Sequence, residues 1–228
     1  MSKNLILLHG ALGNKAHLQN LCDVLSPHYK VYTLDFPGHG AHFSSKDFSM
    51  EFFAEEVIAF MNRNSLESAS IFGYSMGGYV GLKLAMQFPE RVEKLITLGT
   101  KLKWNKEIAA KELQMLNTEK MERKIPQFVE KLKNENPASE WKELVNKTAK
   151  MLHGLGNGKA LSEMEFKNIE IPVLVLRGSE DSMVTKEECE NLVRILPDGT
   201  YFEIPGAMHQ FEKVDDLKLK DIIIKFVG

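Results

Sequence analysis

Cysteine is scarce in this chain: Cys22 and Cys189 are the only two in 228 residues. They stand far apart without metal-like spacing, which excludes a disulfide scaffold and a cysteine-built metal site and reads as two reduced, packed thiols. An excess of charge of one sign is missing too. The 29 Lys and Arg against 31 Asp and Glu leave a net charge of -2, and no cluster of basic residues forms the stripe that nucleic acid would need, so nucleic acid is not an expected partner. No apolar run is long enough to span a bilayer, and Met1-Ser2-Lys3-Asn4 leads straight into a strand-like run without the longer apolar segment of a secretory signal. No membrane partner is expected, and the chain reads as cytoplasmic. Repeats and low-complexity segments are also absent. An apolar fraction of 43% over this length suits a single globular domain, residues 1-228, with a large core.

What is present centres on Ile71-Phe72-Gly73-Tyr74-Ser75-Met76-Gly77-Gly78. A short apolar run stops at a glycine, and a serine follows in the pattern G-x-S-x-G. Turning a buried strand directly into a helix holds that serine in strained geometry, and flanking glycines remove the side chains that would clash there. The same turn also occurs in proteins without chemistry, so the rest of the chain decides. Leu5 to Leu8, Lys30 to Leu34, Val92 to Leu98, Pro172 to Leu176 and Thr200 to Ile204 read as further strands, with helical spacing between them from Leu18 to Leu25, Met50 to Asn64, Tyr79 to Ala85 and Lys186 to Leu196, and after the last strand to Phe226. This alternation predicts an α/β fold, a mostly parallel sheet of about six strands with helices on both faces, whose ligands bind outside the C-terminal strand ends. His9-Gly10-Ala11-Leu12-Gly13 and Asp35-Phe36-Pro37-Gly38-His39-Gly40 are small-residue loops at that edge; Pro and Gly shape the second, and His39 reads as structural.

Residues 101 to 170 differ from the remainder. They carry 14 Lys and Arg against 11 Glu, and strand signals vanish. A helical insertion is predicted there. Its apolar stripes serve either as plain core or as a lid over the strand ends, with Trp104, Met115, Met121 or Trp141 touching the ligand. Gly154-Leu155-Gly156-Asn157-Gly158 reads as its flexible exit; with no strand before it and no Lys-Ser or Lys-Thr after it, it is not a phosphate loop. No metal or cofactor is implied.

A serine hydroxyl becomes a useful nucleophile when a base takes its proton, and the base needs an acid to fix its tautomer. Only His153 and His209 follow Ser75; His153 falls in the helical insertion, whereas His209 follows the last strand. His209 is therefore the candidate base. Asp181, directly after a strand, is the candidate acid over Asp198 in a Pro-Asp-Gly turn at the opposite edge, with the neighbouring Glu180 as an alternative.

Together these loops resemble the α/β-hydrolase superfamily over essentially the whole chain: His9-Gly10, Asp35 to Gly40, the nucleophile elbow Gly73 to Gly77, the Gly-x-x-Asp-x-x-Val loop Gly178 to Val184, and the late histidine loop Pro205 to His209. The resemblance implies a triad of Ser75, Asp181 and His209, an oxyanion hole made by the backbone N–H groups of Ala11 and Met76, and a first strand equivalent to the one that usually comes third. Serine at the elbow argues against the dehalogenase and epoxide-hydrolase branches, which use aspartate there. The implied activity is hydrolysis of a small acyl substrate, a carboxylic ester or thioester, through an acyl-enzyme. Two alternatives share the fold. One is a lyase similar to the menaquinone-pathway enzyme that eliminates pyruvate, although its elbow typically continues Gly-Gly-Arg where this chain has Gly77-Gly78-Tyr79. The other is a slow-turnover ligand sensor. Neither substrate identity nor oligomeric state follows from the sequence.

Overall fold

Each short apolar run becomes a strand because it is covered on both faces, so its residues alternate between two cores. In the computed structural model, which describes residues 3–228, the chain runs β1 (Asn4–Leu8), α1 (Gln19–Leu25), β2 (Lys30–Thr33), α2 (Met50–Arg63), β3 (Ala69–Tyr74), α3 (Met76–Gln87) and β4 (Val92–Leu98). Five helices follow: α4 (Lys106–Leu113), α5 (Thr118–Lys124), α6 (Pro126–Glu135), α7 (Trp141–Gly154) and α8 (Glu163–Lys167). The sheet then resumes with β5 (Val173–Gly178), α9 (Lys186–Ile195), β6 (Gly199–Ile204) and α10 (Asp216–Val227). The expected sheet is present, and all six strands are parallel in the order β2-β1-β3-β4-β5-β6.

Alternation is visible strand by strand. Leu5 and Leu7 of β1, Phe72 of β3 and Ile96 of β4 face one core, shared with Leu21 of α1 and Ile223 of α10. Ile6, Leu8, Ile71 and Leu95 face the other, with Phe53 of α2 and Leu82 of α3. A register slip of one residue would exchange the two sets.

The strand order places the site. From β1 the chain moves outward to β2, then crosses back to lay β3 on the other side of β1. Loops leaving β1 and β3 therefore diverge, and a crevice opens at their C-terminal ends. Both the His9 loop and Ser75 stand on it.

The segment between β4 and β5 is helical, as expected. Its helices bury their stripes mainly against one another and against the sheet-side core: Leu144, Val145 and Met151 of α7 join the same cluster as Val129 and Leu132 of α6. The glycine run from residue 154 is not the loose exit expected from its composition. Leu155–Lys159 winds on from α7 as a wider helical turn with Leu155 and Gly156 buried, and the chain leaves at Gly158 with φ 92°. Burial of Leu155 holds the turn in place. Among the described residues, no helix is long and apolar enough to cross a membrane.

Candidate active site

Ser75 sits where β3 turns into α3, with φ 50° and ψ -114°. A non-glycine residue at such a φ is strained by about 1–3 kcal/mol, so neighbours must over-determine it. They do: the Ser75 N–H donates to the Leu98 carbonyl at 2.8 Å, and its own carbonyl accepts the Thr100 hydroxyl at 3.0 Å. The close return of the helix requires Gly73, where a Cβ would stand 2.4 Å from the Gly77 carbonyl carbon. Met76 opens α3, so its N–H has no carbonyl a turn earlier to bond.

Asp181 and His209 reach the same place from the loops after β5 and β6. The Asp181 carboxylate is buried, and its Oδ1 accepts the backbone N–H groups of Met183 and Val184 at 2.8 and 2.9 Å. Its Oδ2 accepts from His209 Nδ1 at 2.8 Å. Burial works to raise the carboxyl pKa, but the His209 hydrogen bond and charge, with the two backbone donors, outweigh it and hold the group below its ordinary value. An ionised Asp181 can only accept, so Nδ1 of His209 carries a proton, and in the neutral ring the lone pair is on Nε2. Gly99, at φ 59°, leaves room for this pair: a Cβ there would lie 3.3 Å from both Asp181 Oδ2 and His209 Nδ1.

Ser75, His209, Ala11 and Met76 line one cavity of about 150 Å³. The structure thus brings together the expected serine, histidine and acid and both residues expected to supply N–H groups. It also separates the two carboxylates, since Glu180 is exposed while Asp181 pairs with His209. His153 is exposed on α7 and engaged with Asn157. Of the four residues expected at the ligand, Trp104 and Met115 line the cavity. Met121 and Trp141 do not, which corrects the expectation for both: they are 3% and 5% exposed and packed into the helical core. A short amphipathic helix must bury its largest apolar side chains against its neighbours to be stable at all, leaving turns and helix edges to face the cavity.

Several lining residues carried no signal in the sequence. Met50 at the start of α2, Thr148 and Leu152 on α7, and Met183 after β5 complete the wall. Tyr79 lines it as well, one turn after Ser75, but its hydroxyl already accepts the Leu161 N–H at 2.7 Å; burial pushes that phenol well above its usual pKa. Lys101 is the one Lys or Arg in the wall among the described residues, and it is paired with Glu112. Arg91 is bonded to the carbonyls of Leu66 and Glu67, and neither it nor Arg123 reaches the cavity. No group of three or more His, Cys, Asp or Glu among the described residues is arranged to hold a metal ion.

Two buried histidines brace the crevice. His9 donates from Nδ1 to the Gly10 carbonyl at 2.8 Å and accepts the Phe36 N–H on Nε2 at 3.1 Å, so both nitrogens are used only when the ring is neutral. Burial lowers its pKa to about 4. His39 packs between Phe48 and His9 with Nδ1 on the Pro37 carbonyl, and burial, aided by His9, lowers it to about 3. His39, read as structural, is packed in the core, and a signal for His9 lay only in its place before Gly10.

Comparison with known proteins identifies the family of this fold. Residues 3–135 match the family model described as alpha/beta hydrolase fold. A Haemophilus influenzae protein carrying the name esterase/lipase is 28% identical over 224 residues, covering 90% of this chain and 76% of that protein. The pimeloyl-[acyl-carrier protein] methyl ester esterase of Aliivibrio fischeri is 35% identical over 99 residues, 42% of this chain and 36% of that enzyme. In fold, the enol-lactonase of Burkholderia xenovorans superposes with TM-score 0.78 at 19% identity, over 100% of this chain and 92% of that one. MenH from S. aureus does so with TM-score 0.76 at 19% identity, over 99% and 93%. The chain belongs to the α/β-hydrolase fold family.

Proposed function

We propose that the protein is a serine hydrolase that cleaves a small carboxylic ester or thioester through an acyl-enzyme. The observation that carries this reading is the 2.8 Å bond from His209 Nδ1 to Asp181 Oδ2, which leaves the basic Nε2 available in the cavity where Ser75 presents its hydroxyl. His209 takes the Ser75 proton as Oγ attacks the ester carbon. The oxyanion that forms is held by the N–H groups of Ala11 and Met76, a kind of contact worth about 3–4 kcal/mol per donor in the transition state. Collapse expels the alcohol or thiol with the proton from His209. Water then gives its proton to His209, attacks the acyl carbon and releases the acid, returning the proton to Ser75.

The names of the Haemophilus and Aliivibrio relatives support an ester as substrate. Against a lyase acting on a substrate rich in carboxylates stands the wall itself: position 79 is a tyrosine already engaged by Leu161, and Lys101 is neutralised by Glu112. A dedicated cationic clamp is missing from the lining. The unpaired Cys22 and Cys189 suit a reducing compartment such as the cytoplasm.

A panel of nitrophenyl esters run beside a fluorophosphonate label tests the reading. Label and turnover are expected together in the native protein, and both are expected to vanish in a folded Ser75→Ala variant. Turnover that survives this substitution would remove Ser75 from the mechanism. Rapid pyruvate release from the succinyl-cyclohexene substrate, lost in Ser75→Ala, would give the lyase reading instead. Labelling with no turnover of any ester would favour the sensor.

A further inference from the structure

A larger groove of about 600 Å³ adjoins the catalytic cavity, and the two share a wall: Lys101, Glu112, Met115 and Met183 line both. The polar part of that wall is self-contained. Lys101 Nζ donates to the Met183 carbonyl at 2.5 Å and lies 3.4 Å from Glu112 Oε1, joining α4 to the loop after β5. With side-chain exposures of 18% and 11%, the two charges are largely shielded and satisfy each other. The remainder of the partition is two methionines, of which Met115 is 52% exposed. Such unbranched thioethers can swing aside without leaving a polar group unpaired.

We propose that the outer groove binds the distal end of the substrate's acyl chain, which passes from Ser75 between Met115 and Met183 beside the Lys101–Glu112 pair. This rests on the serine-hydrolase reading and names the substrate class: esters of medium-length, uncharged acyl groups. Three considerations assign the groove to that arm. The inner cavity is small, and the groove lies on the other side of four residues that line both. Its walls include Ile108 on α4, Phe166 on α8 and Ile195 on α9, which suit methylenes. The alcohol must depart and be replaced by water at His209, so its side has to stay open to exchange, whereas the acyl chain remains on Ser75 through both steps and takes the walled arm. The groove's charges are of both signs, since Lys103 and Lys111 line it together with Glu187 and Glu188 while Lys101 is paired with Glu112, so it offers no clamp of one sign for an anionic tail.

The test fills the groove from its far side. Ile108→Trp narrows it at a half-buried position, and Asn191→Trp does so from an exposed site on α9 where folding is not at stake. The readout is the ratio of kcat/KM for nitrophenyl octanoate to that for nitrophenyl acetate. Each filled variant is expected to lower this ratio by about tenfold or more, since loss of pocket space for even one methylene is worth about that factor. Glu112→Ala, which opens the passage, is expected to raise it. Calorimetric titration of Ser75→Ala with octanoate and with acetate gives a parallel comparison without turnover: octanoate should bind more tightly, and Asn191→Trp in that background should remove the advantage. An octanoate preference that survives both filled variants would overturn the proposal. So would a loss confined to acetate esters of lengthening alcohols, which would assign the groove to the leaving group. Should the native protein neither take the fluorophosphonate nor hydrolyse the acetate, the serine-hydrolase reading fails by itself, while the calorimetry still decides whether the groove holds the chain.

Discussion

The Phe36 backbone N–H donates to His9 Nε2 across 3.1 Å, so the loop leaving β1, which carries Ala11, and the loop leaving β2 are one hydrogen-bonded unit. That bond exists only with a neutral imidazole, since a protonated ring offers no acceptor.

Acid should therefore loosen the crevice before it touches the carboxylate. His9 and His39 have pKa values lowered from 6.5 to about 4 and about 3, so between those values and 6.5 the unfolded chain binds more protons than the folded one. Stability rises with pH in that window and falls as pH drops through it. At about 1.4 kcal/mol per pH unit, His9 alone accounts for about 3 kcal/mol between pH 6.5 and pH 4. Asp181, held below the carboxylate value, contributes stability that is kept above pH 3.8 and lost below it. Urea unfolding of the native protein and of His9→Gln across pH 7 to 4 measures this: the variant should start less stable and show a flatter slope. Equal slopes would mean that His9 does not titrate with folding.

Gly99→Ala should damage activity more than stability. The left-handed φ of 59° costs an alanine about 1–2 kcal/mol. The new methyl would also press on Asp181 Oδ2 and His209 Nδ1, both 3.3 Å away, and displacements of about 1 Å in a catalytic group can cost about a hundredfold in rate. Thermal unfolding and kcat measured on one preparation separate the two effects. A melting temperature lowered with kcat intact would show that the His209–Asp181 pair tolerates the push.

Much of this was readable beforehand because it is local. Apolar runs, turn residues and their order set the strands, and the demand that a serine find a base and an acid on loops after strands singled out His209 and Asp181. What could not be read is what depends on packing between elements. Trp104 and Trp141 are the same residue type in the same helical segment, yet Trp104 lines the cavity and Trp141 is buried at the start of α7. No periodicity distinguishes a stripe facing another helix from one facing empty space. The Lys101–Glu112 pair is likewise invisible along the chain, since its partners are 11 residues apart and meet only after α4 has folded back.

The two tryptophans make a paired prediction. Trp141→Ala should destabilise by about 3–5 kcal/mol with little change in ester preference, as expected for a large side chain removed from a core. Trp104→Ala should change the relative kcat/KM for acetyl and butyryl esters severalfold, with a smaller loss of stability, because its ring borders the cavity that Ser75 and His209 line. Denaturant unfolding and a short ester series on both variants check this. Reversed effects would mean that the helical segment meets the ligand through α7 and not through the turn after β4.

Arg177 is the residue through which the acid loop is held. At the end of β5 its guanidinium donates from Nε to the Val184 carbonyl at 2.7 Å and from Nη2 to the Asp181 carbonyl at 2.8 Å, and it pairs through Nη1 with Glu203 at 2.9 Å. The side chain is almost wholly buried and spans the turn from both ends. A lysine would keep the charge but offer one donor centre in place of a planar fork, so at least one of these carbonyls would be left without its partner. Arg177→Lys is therefore expected to let Asp181 drift from His209 Nδ1 and lower kcat by about tenfold to a hundredfold, with KM for a short ester nearly unchanged. If the residue acts by positioning the acid, the same pattern, kcat lowered with KM nearly unchanged, should appear in Asp181→Asn and be absent from Glu180→Gln. A fall in melting temperature with kcat unmoved would reduce Arg177 to a packing residue.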